Sequence, residues 1–133
     1  MSKPRERTIE GAIKSIVTSK ESYTVLPNGT WTAGGCGIIA DAMCRVWDYC
    51  DARLYVVRDL KTGVAHHIVT LIGRYYYDGN GKSTKKGLLK HWKFHENLGQ
   101  PALEALQTWP DGIERDETAS AFIAQMIHNY YSR

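Results

Sequence analysis

A cysteine in a glycine-rich turn and a histidine that opens an apolar strand are the residues of this sequence best suited to chemistry. Cys36 lies in the motif Gly-Gly-Cys-Gly, directly before a pattern typical of an amphipathic helix. A helix N-terminus carries partial positive charge, which favours a thiolate over a thiol. His67 begins the alternating apolar segment 67–72, and an imidazole there can take a proton and later return it to a leaving group. Together the two residues predict nucleophilic attack by a thiol on a carbonyl group.

A third residue is needed to fix the tautomer and the orientation of the imidazole. Asp78 follows the next predicted strand. If segments 67–72 and 74–78 pair through a turn at Gly73, Asp78 lies near the level of His67. Asn80, two positions further on, is the competing choice. The sequence Asp-Gly-Asn-Gly is also typical of a plain turn, so either residue could be structural.

Other residues that could carry chemistry are assigned structural roles. Cys44 and Cys50 have no glycine approach, and we expect them to be core or incidental residues. His91 and His95 have the four-residue spacing of helical metal ligands, but no glutamate lies between them and no other ligand is close in sequence. We therefore predict no metal site and no cofactor. Three cysteines, an odd number, without a signal-like segment predict a cytoplasmic protein.

Composition predicts one globular domain over residues 1–133. The net charge of +3 is too small to indicate nucleic-acid binding by itself. No apolar run approaches the roughly 18 residues of a membrane span, so no membrane association is expected. A group of lysines shares a predicted helix with apolar residues and is expected to form its solvated face: Lys82, Lys85, Lys86, Lys90 and Lys93.

Hydrophobic periodicity predicts an α+β fold, because strands in the middle of the chain are flanked by helices. Residues 21–35 are expected to form a loop, and Ser83 is the expected cap of the predicted helix 84–94. The predicted helices are 8–20, 36–49, 84–94, 101–107 and 114–131, and the predicted strands are 54–57, 67–72 and 75–77.

Three short motifs in chain order resemble the core of the papain-like cysteine peptidase and hydrolase superfamily. They are Gly-Gly-Cys-Gly, His-Ile-Val-Thr-Leu-Ile-Gly and Tyr-Tyr-Asp-Gly-Asn-Gly, and compact members from phages and bacterial effectors are the most similar. The resemblance implies a papain-like core over about residues 28–81, with the nucleophile helix packed on a small antiparallel sheet. Helical flanks at 8–20 and 84–131 lie outside it. It also implies a hydrolase that attacks a peptide, isopeptide or amide through an acyl-enzyme, with a protein or peptide as substrate.

The sequence departs from the papain pattern at two places near the cysteine. Papain-type enzymes carry a glutamine six positions before the cysteine, where this chain has Thr30, with Asn28 nearby. Either side chain could donate one hydrogen bond to an oxyanion. The residue after the cysteine is Gly37, where an aromatic or polar residue is usual. These departures leave an alternative, namely a catalytically inactive papain-like binding module, such as a phage-encoded inhibitor of a host protein.

Overall fold

An antiparallel sheet of five strands packs with five α-helices in the part of the chain that the structure describes. The computed structural model describes residues 8–27 and 34–132. In chain order the elements are α1 Ile9–Val17, α2 Lys20–Val25, α3 Cys36–Val46, a 3-10 turn Asp48–Cys50, β1 Arg53–Asp59, β2 Ala65–Ile72, β3 Tyr75–Asp78, β4 Gly81–Ser83, α4 Lys85–His95, β5 Pro101–Ala105 and α5 Glu117–Ser132. The predicted α+β class is confirmed.

Strand β2 lies at the centre of the sheet, whose order is β4-β3-β2-β1-β5. It pairs with β1 through Tyr55 and Val69 and with β3 through Thr70 and Tyr77, both in antiparallel register. The β2 residues from 67 to 70 are all buried, as expected for a central strand covered on both faces. The sheet has more strands than the three that were predicted, because β4 and β5 extend it at its two edges.

Helix α3 is the buried centre of the molecule, with Ile38, Ile39 and Met43 almost completely withdrawn from solvent. Two buried hydroxyl groups hold it in place. Thr70 in β2 donates a hydrogen bond to the carbonyl oxygen of Ala40 at 3.0 Å, and Ser120 in α5 donates to that of Ile38 at 3.1 Å. Because a buried polar group is costly to leave unpaired, these bonds define where α3 sits against β2 and α5.

The predicted helix at 101–107 is wrong, because residues Pro101–Ala105 form the edge strand β5. Its Leu and Ala residues favour a helix locally, but the exposed edge of β1 offers unpaired backbone groups that β5 satisfies. Leu103 pairs with Val57. The approach to β5 is fixed by the buried carboxylate of Asp59, which accepts hydrogen bonds from the backbone N–H groups of Gly99 and Gln100.

The predicted loop at 21–35 is wrong in its first part, which forms helix α2, and its middle part, 28–33, lies outside the described residues. Ser19 caps this helix by accepting a hydrogen bond from the backbone N–H of Ser22 at 3.2 Å, and α1 ends before it at Val17. Ser19 is a capping residue inside an apparently continuous helical pattern.

Other predicted helix boundaries need small corrections. Helix α3 ends at Val46 rather than at 49, and α5 begins at Glu117 rather than at 114. The cap of α4 is Thr84, whose hydroxyl accepts from the N–H of Gly87 at 3.1 Å, and not Ser83, which belongs to β4. Among the helices within 8–27 and 34–132, none combines the length and apolar character needed to cross a bilayer.

Candidate active site

The backbone around Cys36 presents this residue at the first position of α3, as predicted. Gly34 adopts a φ of +107°, a conformation that a side chain would strain. Gly35 occupies the N-cap position without any side-chain cap. Gly35 has helical backbone angles, and residues 34–35 form a short π-helical turn that leads directly into α3. Cys36 itself is only 6% exposed.

His67 and Asp78 form a buried pair on the neighbouring strands β2 and β3. The Nε2 atom of His67 lies 3.1 Å from Oδ2 of Asp78, and the two residues are 2% and 4% exposed. The pairing of Thr70 with Tyr77, continued by one residue, sets Asp78 opposite Val69. Val69 and His67 share a face of β2, so Asp78 is a diagonal neighbour of the imidazole.

Asp78, and not Asn80, faces the imidazole. The backbone N–H of Asn80 donates to Oδ1 of Asp78 at 2.8 Å, while its side-chain amide nitrogen lies 3.2 Å from Nε2 of His91. Asn80 therefore binds the carboxylate oxygen Oδ1, while the other oxygen, Oδ2, faces His67.

The thiol of Cys36 is hydrogen-bonded to the imidazole of His67. Because Nε2 of His67 is directed at Asp78, Nδ1 is the ring nitrogen that remains for the thiol. Burial raises the pKa of Cys36, but the hydrogen bond and charge of His67 together with backbone hydrogen bonds from Ile68 and Gly37 bring that pKa below its ordinary value. These contacts stabilise the thiolate form of Cys36.

The pKa of His67 moves in the complementary direction. Burial lowers it, but hydrogen bonds and charges from Asp78 and Cys36 raise the pKa of His67 to about 9. A cysteine pKa below its ordinary value beside a histidine pKa of about 9 favours a thiolate–imidazolium pair over a neutral thiol–imidazole pair. The arrangement can therefore supply both a nucleophile and a proton donor.

Trp92 of α4 belongs to this site, although the sequence assigned it only to the apolar face of a helix. Its ring centroid lies 4.0 Å from that of His67, and its indole N–H donates to Oδ2 of Asp78 at 3.4 Å. Trp92 is 4% exposed, so it covers the hydrogen bond between His67 and Asp78. No spacing in the sequence connects Trp92 to His67, and only the packing of α4 brings the two together.

Trp109 is a second neighbour that the sequence did not indicate. A Cβ atom added at Gly37 would lie 2.6 Å from Cζ2 of Trp109 and 3.0 Å from the carbonyl oxygen of Glu114. The indole N–H of Trp109 donates to the carbonyl oxygen of Ile113 at 2.8 Å, which holds the ring in this position. Gly37 is therefore required by the close approach of an indole, which gives a structural reason for one departure from the papain pattern.

A β-bulge directly precedes the histidine. Val57 of β1 pairs with His67, but the next residue, Arg58, pairs with Ala65, so that His66 is an extra residue in β2. Bulges increase the local twist of a strand and redirect side chains next to them. His66 is half-buried.

The other cysteines lie outside the site. Burial and the nearby carboxylates of Asp41 and Asp48 raise the pKa of Cys44 to about 12, and Cys50 is exposed. Neither environment favours a nucleophile.

Two residue groups from the sequence remain to be placed. Thr30 and Asn28 lie outside the described residues, so their proposed role as oxyanion donors stays a prediction. His91 and His95 stack on each other with centroids 5.4 Å apart on the exposed side of α4. Within residues 8–27 and 34–132, no group of three or more metal-ligating side chains comes together.

Comparisons of the chain with protein-family models, with curated proteins and with solved structures give no match.

Proposed function

We propose that this protein is a papain-like cysteine hydrolase in which Cys36 is the nucleophile, His67 the general acid and base, and Asp78 the orienting residue. The observation that carries the proposal is the continuous buried chain of hydrogen bonds from the thiol through the imidazole to the carboxylate. The contacts within this chain lower the pKa of Cys36 and raise the pKa of His67, in both cases against the effect of burial. These are the directions that a nucleophilic thiolate and a proton-donating imidazolium require.

Acylation begins with attack of the Cys36 thiolate on the carbonyl carbon of an amide, which forms a carbon–sulfur bond and places the negative charge on the oxygen. The backbone N–H groups at the start of α3 are suitable donors to that oxyanion, and Thr30 or Asn28 is the predicted second donor. The His67 imidazolium then gives its proton to the leaving nitrogen. The carbon–nitrogen bond breaks, an amine departs, and a thioester with Cys36 remains.

Deacylation reverses the role of the imidazole. Neutral His67 takes a proton from water while the oxygen of that water adds to the thioester carbon. Collapse of the intermediate breaks the carbon–sulfur bond, releases a carboxylic acid and restores the thiolate–imidazolium pair. Asp78 keeps Nε2 of His67 engaged throughout, so that Nδ1 carries the proton to and from the reacting atoms. A peptide, an isopeptide crosslink or a conjugated protein modifier in the cytoplasm would be a suitable substrate.

The pH dependence of thiol alkylation tests the proposal. In a Cys44→Ser/Cys50→Ser variant, Cys36 is the one thiol left among the three cysteines of the chain. We expect its rate of reaction with iodoacetamide to rise at a lower pH than that of Cys50 measured in a Cys36→Ser/Cys44→Ser variant. Comparing the midpoints of the two profiles, rather than the absolute rates, separates thiolate formation from access to a buried thiol. A Cys36 midpoint at or above that of an ordinary thiol, about 8.5, would refute the hydrolase assignment.

Binding without turnover is the second candidate function, and the burial of the site favours it. Cys36 and His67 are 6% and 2% exposed, which leaves little of the reactive atoms for a substrate to approach. Cys36→Ser changes one atom and preserves packing. A Cys36→Ser variant that keeps full biological activity would support the binding module, whereas loss of activity with retained partner binding supports the hydrolase.

A further inference from the structure

Helix α4 exposes a strongly basic face. Lys85, Lys86, Lys90 and Lys93 are all exposed, and the helix Lys85–His95 contains no acidic residue. Within the described part of the chain, none of these lysines forms an ion pair. We call these four side chains the α4 basic face.

The stability of the helix does not explain this arrangement. Lys85 and Lys86 lie in the first turn, where the positive end of the helix dipole disfavours cations. Lys86 and Lys90 are four residues apart and Lys90 and Lys93 three apart, so like charges are neighbours on one surface. Lys93 lies in the last turn, where the dipole favours a cation, but the two lysines of the first turn and the like-charge spacings are unfavourable. An unfavourable accumulation of like charge of this kind is typical of a surface that binds an oppositely charged partner.

An apolar groove of about 710 Å³ accompanies these charges. Lys90 and Lys93 line it together with Phe94, whose side chain is 91% exposed, and with Leu98, which is buried. Large exposed aromatic side chains are frequent anchors at interfaces. The groove thus combines an apolar wall with cationic edges.

We propose that the α4 basic face and this groove bind an acidic protein segment that carries a large apolar side chain. Carboxylates of the segment pair with the lysines, and its apolar side chain packs against Phe94. The lysines occupy one helix of 11 residues, about 16 Å long, and the net charge of the protein is only +3. A short peptide segment suits this compact surface better than a nucleic-acid backbone, which needs a longer positive track.

The groove adjoins the candidate active site. His91 lines the groove and lies 3.2 Å from the side chain of Asn80, whose backbone N–H donates to Asp78. Trp92, the next residue, packs on His67. A segment bound in the groove would therefore lie next to the site, although the binding itself does not depend on hydrolysis.

Fluorescence anisotropy with two labelled peptides tests the proposal. In one peptide two short glutamate tracts flank a Leu-Leu pair, and in the other they flank Ser-Ser, so the charge is the same. The full-length Cys36→Ser variant is used, so that no turnover interferes and failure of the hydrolase assignment does not affect the result. We expect the Leu-Leu peptide to bind more tightly, and Phe94→Ser to remove the difference between the two peptides.

Charge reversal provides the matched control. Lys90→Glu/Lys93→Glu should weaken binding of both peptides by about ten-fold or more, because attraction becomes repulsion. Lys20→Glu/Arg74→Glu makes the same charge change at exposed positions outside the groove and should have a much smaller effect. Far-UV circular dichroism verifies that all variants are folded. Equal effects of the two charge reversals, no preference for Leu-Leu, or tighter binding of an oligothymidylate or of phosphatidylserine vesicles would each overturn the proposal.

Discussion

The carboxylate of Asp78 has three hydrogen-bonding partners in the candidate site. Its Oδ2 atom contacts both the imidazole of His67 and the indole N–H of Trp92, and its Oδ1 atom accepts from the backbone of Asn80. A carboxylate held by three donors cannot rotate away from the imidazole without leaving a buried polar group unpaired. Asp78 therefore fixes the direction in which Nδ1 of His67 points.

Replacing Asp78 with Asn should impair the thiol through the histidine. Burial lowers the pKa of His67, and the hydrogen bond and charge of Asp78 oppose that effect. Without the charge, the pKa of His67 falls, the imidazolium loses its proton at a lower pH, and the Cys36 thiolate loses its partner. In Asp78→Asn we expect the alkylation midpoint of Cys36 to move to higher pH, and any turnover to fall by about 100- to 10,000-fold.

Asn80→Ala is the control for this change. Asn80 donates a hydrogen bond to Asp78 through its backbone N–H, which alanine retains. The alkylation midpoint of Cys36 in Asn80→Ala should therefore stay close to that of the wild type. Identical midpoints in the wild type and in Asp78→Asn would remove Asp78 from the site.

The sequence predicted Cys36, His67 and Asp78 as one site because each follows from a local signal, namely a glycine turn, a strand start and a strand end. Trp92 and Trp109 could not be predicted in this way. Their positions depend on how α4 and residues 109–114 pack against β2 and α3, and such contacts between distant segments leave no periodic pattern in the sequence.

Between elements, the contact of α3 with the segment that follows β5 constrains the start of α3, where Cys36 lies. The indole of Trp109 lies directly against the first turn of α3 at Gly37. The guanidinium carbon of Arg115 lies over the same indole, 4.9 Å from the ring centroid. The hydrogen bond from the Trp109 indole N–H to the carbonyl oxygen of Ile113 fixes the conformation of this segment. The segment therefore limits how far the start of α3 can move towards it.

A methyl group at position 37 should disturb this contact. Gly37→Ala places a Cβ atom within 2.6 Å of Trp109, so α3 or the indole must shift, and we expect a loss of about 1–3 kcal/mol in the free energy of unfolding. Urea denaturation measures it. The same substitution in a Trp109→Ala background should cost less, because the closest overlapping atom is gone. An equal cost in both backgrounds would show that Trp109 does not constrain position 37.

The elements that were predicted correctly are those whose conformation is determined by local signals in their own sequence. Thr8 caps α1, and the alternating pattern of β2 survives in the sheet. Strand β5 was missed because its conformation is decided by the neighbouring edge of β1, which outweighs the helical preference of Ala102, Leu103 and Ala105.

At the scale of the whole molecule, one buried cluster draws on most elements of the fold. It includes Ile13 of α1, Met43 of α3, Val57 of β1, Trp92 of α4 and Ile123 of α5. A core shared in this way couples the helical flanks to the sheet, because no flank can separate without exposing residues that the others cover. The predicted papain-like core over 28–81 is therefore not packed independently of its flanks.

We expect the chain to unfold in a single cooperative transition. Urea curves followed by tryptophan fluorescence and by far-UV circular dichroism should coincide. Ile123→Ala, at a fully buried position, should lower the free energy of unfolding by about 2–5 kcal/mol and shift both curves equally. The neighbouring Phe122→Ala, at a position that is 43% exposed, should shift them far less. Separate transitions for the two probes would indicate that a flank unfolds on its own.

The contact between Gly37 and Trp109 also has an evolutionary consequence. A side chain at position 37 and the indole at position 109 would occupy the same space. Substitutions at the two positions are therefore expected to be correlated in evolution. In relatives of this protein we expect glycine at the position of Gly37 to occur together with a large aromatic residue at the position of Trp109. Where a bulky residue follows the cysteine, a small one should take the place of the indole. This reciprocal pair of positions would serve as a signature for recognising distant relatives when the short motifs around Cys36, His67 and Asp78 are not sufficient.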